Sequence, residues 1–418
     1  MTSEELNKYM HDFITEVCDE IGPRESGTEE EKQTGNKIET ELKKYCDKTR
    51  KEKYLANPKA FLGGIRYGAA LVLVSIVMYW LSMLIDLDII PLEPFWGFVF
   101  MSIGISLLII SVSYFILEVM RYHETFDFLF PERESENIVG VIEPTGEMKQ
   151  SLIFSAHHDS AYEFNLFYYL KRIGQILIFI GYGGVVLVFI VSIVKFILNL
   201  LAIYIDLVFL IFGIIFLVLL PIVGAYMFFH TYNSVLGAFD NLSGVAVVLG
   251  IGKYISDNKD ELLPKHTKVY LISFAGEEAG LRGSKRYIER HFKELKEENT
   301  KVVNLDSIAE VNPIYFIDKE TLIGATHEKE IYDTLYKIAR EMEISAGIGP
   351  LPFGATDAAA FSKKTIPATS ISGLTLDKSL PNFYHTRLDT PDVVDPKALG
   401  IVTQICVNYL QKVDKDVR

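Results

Sequence analysis

Cysteine is scarce in this chain: Cys18, Cys46 and Cys406 lie far apart, with no C-x-x-C spacing. That excludes a disulfide framework, and an odd number of scattered thiols points to a reducing compartment. Positive charge is short as well. Lys and Arg number 41 against 54 Asp and Glu, a net charge of −13 over 418 residues. No basic patch or RNA-binding motif stands out, so nucleic acid is excluded as the expected partner. The opening MTSEELNKYMHDFITEVCDE is acidic and amphipathic with no apolar core segment, so it is not expected to be a secretory signal. What the chain has in excess is apolar residues, 49% of the total with a mean hydropathy of +0.22.

The excess falls in two blocks. Residues 67–85 and 95–117 are uncharged and joined by DLDIIPLEP; residues 173–194 and 207–229 form a second pair, with Lys195 and Asp206 bounding the turn. Each run has about the ~20 residues that a helix needs to cross a bilayer. Two transmembrane hairpins are therefore expected, with the lipid bilayer as a partner. Each hairpin returns the chain to one face, which carries Lys53, Lys59, Arg66, Arg121, Lys171 and Arg172, whereas the opposite turns carry only Lys195. Positive charge near span ends marks the inside, so an integral multi-pass protein of four spans is expected, with the remainder of the chain cytoplasmic.

Outside the blocks, apolar positions at helical spacing predict helices over 3–21, from Thr28 to about Tyr45, over 329–342 and over 396–413. Thr28 followed by three glutamates reads as a helix cap. KTRKEK (48–53) reads as a basic approach to the first hairpin. Strands are expected at 136–143, 151–156, 269–275, about 300–309, 313–319 and 367–373, with a short helix near Ala358 and the Gly/Pro-rich GIGPLPFGATD (347–357) as a loop. Strands alternating with helices imply a mixed, largely parallel α/β sheet flanked by helices, and ligand sites in such sheets gather at the carboxyl ends of strands.

Polar residues sit at those ends. His157, Asp159, Asp240, Glu277, Glu278, Asp306, Asp357 and His385 follow strands or lie in the loops after them. Two adjacent glutamates closing a buried strand are costly unless a cation holds them. Two histidines among several carboxylates make a mixed N/O set that suits zinc, with cobalt or manganese as substitutes. The acids are too many for one tetrahedral ion, whereas two ions about 3.5–4 Å apart could share a bridging carboxylate.

In order, the residues read His157-His158-Asp159, Asp240-Asn241-Leu242-Ser243-Gly244, Glu277 through Ser284 (EEAGLRGS), Asp306, Thr356-Asp357 with Phe361, and His385-Thr386 with Asp389-Thr390. This series resembles the twin-zinc aminopeptidases, the family numbered twenty-eight among metallopeptidases, over nearly all of the chain outside the hairpins; Gly22-Pro23-Arg24 with Gly27 looks like that family's opening helix junction. The resemblance implies two zinc ions bridged by Asp240, with His157 and Asp306 completing one site and Glu278 and His385 the other. It implies Glu277 as general base and Asp159 as the acceptor that fixes the His157 tautomer, with peptides as substrates. Two departures stand out: Thr-Asp-Ala replaces the family's S-D-x, and no tyrosine is matched as oxyanion donor, Tyr384 being near in sequence only. The implied organisation is a peptidase domain in pieces. Residues 1–60 give its N-terminal helices, 61–120 the first hairpin, 121–170 the first strands and a metal ligand, 171–230 the second hairpin, and 231–418 the remaining ligands and closing helix. A hairpin rooted between His157 and Asp240 puts the site near the bilayer surface, where apolar or membrane-associated peptides would be favoured and the aromatics of AYEFNLFYY (161–169) suit the headgroup region. Rival readings are a metal-free scaffold or substrate receptor, a single-zinc glutaminyl cyclase, and a transport protein, the last disfavoured because the spans carry so few charges.

Overall fold

The strand Gln150–His157 is buried on both faces along its whole length, and its sequence accordingly runs Leu-Ile-Phe between small serines rather than alternating with charges. It lies near the middle of a nine-stranded sheet. The structure, a computed structural model, describes residues 3–311, 314–374 and 380–417; Pro313, the first residue of one expected strand, lies outside them. By proximity of its segments the chain forms two units, Met1–Pro58 with Phe130–Glu163 and Asn233–Arg418, and Lys59–Leu129 with Phe164–Tyr232.

The first unit holds the sheet. Its strands are β1 (Lys48–Ala56), β2 (Arg133–Ile142), β3 (Gln150–His157), β4 (Thr267–Phe274), β5 (Lys301–Asp306), β6 (Ile314–Glu320), β7 (Ala325–Thr326), β8 (Ala346–Leu351) and β9 (Ala368–Ser372). They run in the order β1-β2-β4-β3-β5-β9-β6-β8, with β7 on β6. β4, β3, β5 and β9 are mutually parallel neighbours, and β8 is parallel to β6. β1, β2 and the β9–β6 junction are antiparallel. The sheet is thus mixed and mostly parallel, with helices covering it. Register aligns its central strands: His157 pairs with Phe274 and Asp306 with Ser372, so their carboxyl ends finish side by side.

Helices Ser3–Glu20, Ser243–Asp257 and Pro396–Asp416 pack together on the sheet. Val245 to Leu249 are 0–1% exposed, because this helix is covered by the sheet on one side and by helices on the other. The cap at Thr28 accepts from the Glu31 amide at 3.3 Å, while the Glu31 carboxylate accepts from Gly27 N–H at 2.8 Å, which fixes the helix entry.

In this unit the structure corrects two expectations. KTRKEK is the outer strand β1, not an approach to a membrane: its charges face glutamates of β2, Lys51 to Glu136 at 2.6 Å and Lys53 to Glu134 at 2.9 Å. A strand whose cross-strand partners are ions carries no apolar alternation to read. GIGPLPFGATD is not wholly loop, since β8 uses its first residues; Gly347 and Gly349 pair with Tyr315 and Ile317.

The second unit holds helices Ile65–Asp86, Pro94–Tyr114, Arg172–Leu200 and Asp206–Ala225. Among the described residues, four helices are long and apolar enough to cross a membrane. The helix expected to stop at residue 194 runs on to Leu200, so Lys195 is not in a turn but inside the helix and fully buried. It pairs with Asp86 of the first hairpin and donates to Ser82 Oγ at 2.9 Å, and Asn199 donates to the same carboxylate at 3.2 Å. Sequence spacing could not show this, because the partners lie on different hairpins. Removing one member of such a pair strands a buried charge at a cost of about 3–5 kcal/mol. Lys195→Met should therefore lower unfolding stability in detergent by about that amount, and Lys195→Met with Asp86→Leu should recover most of it. A Lys195→Met protein as stable as the parent would show that the pair does not hold the hairpins together.

Candidate metal centre

Each polar residue of the site is delivered by a strand end or the loop after it. β3 ends on His157, which is 1% exposed, and β5 ends on Asp306. Past the end of β4 the chain turns at Gly276, whose φ of +67° and 2.7 Å approach of a Cβ to Tyr54 Oη leave no room for a side chain. That turn brings Glu277 and Glu278 back over the strand ends. Asp240 lies in the loop ahead of helix Ser243–Asp257, with extended backbone (φ −118°, ψ 90°) and a cis peptide to Asn241. His385 comes from the loop before the closing helix.

The structure brings the expected ligands together. His157 Nε2 is 3.2 Å from Asp240 Oδ1 and 3.9 Å from Asp306 Oδ2. His385 Nε2 is 3.0 Å from the other Asp240 oxygen, Oδ2, and 3.3 Å from Glu278 Oε1. Asp240 thus faces one histidine with each oxygen. Donor atoms of His157, Asp240 and Asp306 lie within 4.8 Å of one another, as do those of Asp240, Glu278 and His385, and those of His157, Glu277 and Glu278. Glu277 Oε2 stands 3.7 Å from His157 Nε2.

The set fits divalent zinc. Two imidazoles and several carboxylates, nearly all buried, make a mixed N/O donor group in which the imidazoles serve as the counter-charges. Burial pushes the carboxyl groups of Glu277 and Glu278 up, and Asp306 up to about 8, with neighbouring carboxylates adding to the effect. Burial works against protonation of His385, but Glu278 and Asp240 overcome it and hold the imidazole at about 10. His157 is likewise raised against burial by Glu277, Asp159 and Asp240. Asp240 goes the other way: burial is outweighed by hydrogen bonds from His157 and His385. A cation bound here would oppose these raised proton affinities, since metal and proton compete for the same donor atoms.

A layer of hydrogen bonds aims these side chains. Asp159 is fully buried and faces His157 Nδ1, 3.2 Å from its main-chain oxygen and 3.4 Å from Oδ1. Both are acceptors, so Nδ1 carries the proton and Nε2 is left for the centre. The same carboxylate accepts from the backbone N–H of Glu277 at 3.2 Å and Glu278 at 3.1 Å, and from Ser26 Oγ at 2.7 Å. Asp389 accepts from the N–H of Phe239 at 2.6 Å and Asp240 at 3.2 Å. Asn241 donates to Leu305 O at 2.9 Å and accepts from Gly244 and Ser307 N–H, tying the Asp240 loop to the end of β5.

Sequence reasoning gave no role to Ser26, Asn241 or Asp389. Asn241 and Asp389 belong to motifs it quoted, but Ser26 carries no spacing signal, since only the fold puts it beside Asp159. Tyr384, expected near the site from sequence position alone, is stacked on the His385 ring (centroids 3.9 Å, 21°). Asp357 is fully buried, with burial pushing it up to about 7, but it belongs to none of the three donor groups.

Residues 223–410 match the model of Peptidase family M28. That stretch contains Asp240, Glu277, Glu278, Asp306 and His385 and starts after His157 and Asp159, which precede the second hairpin. No curated protein matches the chain in sequence. Solved structures of similar fold include a zinc aminopeptidase from Bacillus subtilis, 13% identical, with 97% of this chain and 95% of that one covered and a TM-score of 0.56. Another is a Zn-dependent exopeptidase from Parabacteroides distasonis, 12% identical, covering 98% and 97%, TM-score 0.54. A third is a glutaminyl cyclase from Bacteroides thetaiotaomicron, 14% identical, covering 98% and 97%, TM-score 0.53. At these identities the likeness is one of fold.

Asp240 joins the His157–Asp306 donor group to the Glu278–His385 group, so Asp240→Ala should strip metal from both, whereas loss of His385 should leave the His157–Asp306 group able to bind. Metal per chain, measured after dialysis against zinc, checks this. A metal content unchanged by Asp240→Ala would remove that residue from the centre.

Proposed function

With a family M28 peptidase segment over residues 223–410 and the fold of zinc aminopeptidases around it, we propose that the chain is a membrane-bound two-zinc aminopeptidase, removing N-terminal residues from peptides. The observation that carries this reading is Asp240, with one oxygen toward each of two histidines. His157 and Asp306 would hold one ion and Glu278 and His385 the other, with Asp240 shared. Bound there, two ions would acidify a water and polarise the scissile carbonyl. Glu277 has the place of the general base. It is buried, beside but outside the two Asp240 groups, and burial together with Glu278 and Asp306 raises its proton affinity, as suits a group that must take a proton and give it back. It takes the proton of the attacking water and returns it to the departing amine. Asp159 keeps His157 in the tautomer that presents Nε2.

Glu277→Gln should keep both metals and the fold while lowering kcat by about 10²–10⁴. Unblocked peptides, N-blocked peptides and peptides with N-terminal glutamine, each with and without chelator, separate the readings. Release of the first residue from unblocked peptides alone supports the aminopeptidase; cyclisation of N-terminal glutamine points to the cyclase; no turnover points to a scaffold. Apolar peptides gaining rate in liposomes over detergent, with no gain for polar ones, would support delivery along the bilayer.

We further propose that the four apolar helices span the membrane as two hairpins, with the sheet-bearing unit cytoplasmic. Lys59, Arg66, Arg121, Lys171 and Arg172 lie near the span ends joined to that unit, and the connections 87–93 and 201–205 carry no Lys or Arg. In a Cys46→Ser background, an impermeant maleimide should label Ile89→Cys on intact cells and Lys44→Cys only after permeabilisation. The reverse pattern would overturn the orientation.

A further inference from the structure

Arg24 is fully buried and its guanidinium donates to main-chain oxygens on separate loops: His158 at 2.9 Å, Gly22 at 2.9 Å, Leu236 at 2.6 Å and Gly237 at 3.2 Å. The first of these comes directly after His157. The last two sit just ahead of Asp240. Its backbone completes the contact, with Arg24 N–H donating to Ser160 Oγ at 2.9 Å and Ser160 N–H to Arg24 O at 3.0 Å. Two residues on, Ser26 holds Asp159. The short connection between the first two helices therefore grips residues 158, 159 and 160 on one side and 236 and 237 on the other.

We propose that Arg24 is a positioning residue for the metal centre, fixing the separation of the His157 and Asp240 loops, which the second apolar hairpin divides in sequence. The proposal rests on the metal-centre reading. A planar fork suits the task, because its N–H groups diverge and reach carbonyls on two loops at once, whereas a lysine ammonium concentrates its donors at one point. Loss of the fork leaves buried carbonyls unpaired on both loops. Gly237 seals the same joint. Its φ is +60°, and a Cβ there would lie 2.6 Å from Asp240 O, 2.9 Å from Ser160 Cβ and 3.0 Å from Arg24 Nη2, so only glycine lets the guanidinium and the Asp240 loop meet.

The test uses the full chain in detergent, with Arg24→Lys and Gly237→Ala, which disturb the joint from opposite sides. Zinc affinity is measured by competition with a chromogenic chelator, and the ligand field by the visible spectrum of the cobalt-loaded protein. Thermal unfolding of the metal-free forms reports folding. Supporting outcomes are a loss of about 10–100-fold in zinc affinity and an altered cobalt spectrum in each variant that folds, with KM for a peptide substrate less affected than kcat. A folded variant of either kind with parental zinc affinity and cobalt spectrum overturns the proposal. If Arg24→Lys does not fold, Gly237→Ala decides alone, and if neither folds the joint is a general folding element and the proposal falls. A parent protein that binds neither zinc nor cobalt sinks the metal-centre reading itself, an outcome distinct from parent and variants binding alike.

Discussion

Five carboxylates, those of Asp159, Asp240, Glu277, Glu278 and Asp306, crowd against two imidazoles at the ends of adjacent parallel strands, and the surrounding architecture answers to that crowding. Desolvated like charges a few ångströms apart repel strongly. The folded chain lowers the cost in two ways. Burial and neighbouring carboxylates raise the proton affinity of Asp306 and Glu277, facing carboxylates raise that of both histidines, and Asp240 and Asp159 are given donors. Asp240 receives both imidazoles, and Asp159 receives two backbone N–H groups, a serine hydroxyl and the His157 ring. Such an arrangement is shaped for a cation.

The geometry of that arrangement comes from register rather than from any single loop. Because His157 is level with Phe274 and Asp306 with Ser372, the strand ends form a common edge, and side chains placed just beyond them meet without long loops. Asp240 and His385 are the exceptions, since no strand of the sheet ends on them. They are accordingly the two whose loops need outside support, from Asp389 and Asn241 for the first and from Tyr384 stacked on the ring for the second.

What could be read from the sequence divides along the same line. The parallel strands were legible because burial on both faces makes them unbroken apolar runs, and His157, Glu277, Glu278 and Asp306 stood out because polar residues closely following such runs are conspicuous. The long helices were legible from their period and the four apolar helices from length and lack of charge. Less legible was anything whose pattern lies between elements. β1 is held by Lys51–Glu136 and Lys53–Glu134 pairs, so its alternation is one of charge with charge and reads as a basic stretch. β8 is built on glycines whose partners are on β6. Ser26, the arginine fork and the Lys195–Asp86 pair are invisible in one dimension, since each acquires meaning only from a residue far along the chain.

The two units handle buried charge differently, and the difference bears on what each can do. In the sheet-bearing unit several buried acids share two imidazoles beside the strand ends. In the helical unit Lys195 is matched by Asp86, with Ser82 and Asn199 taking up further hydrogen bonds, and the Glu118 carboxylate accepts from Phe126 N–H at 3.1 Å. Intramembrane charges that serve ion or substrate passage must exchange partners as the cargo moves, and they line a wet path. A lysine with no exposure at all, bound to a carboxylate from the other hairpin, has the opposite character: it specifies which hairpin faces which, at a fixed register. The pair therefore suits a helical unit held in one packing rather than one that passes a cargo, and the cluster able to hold a cation belongs to the other unit.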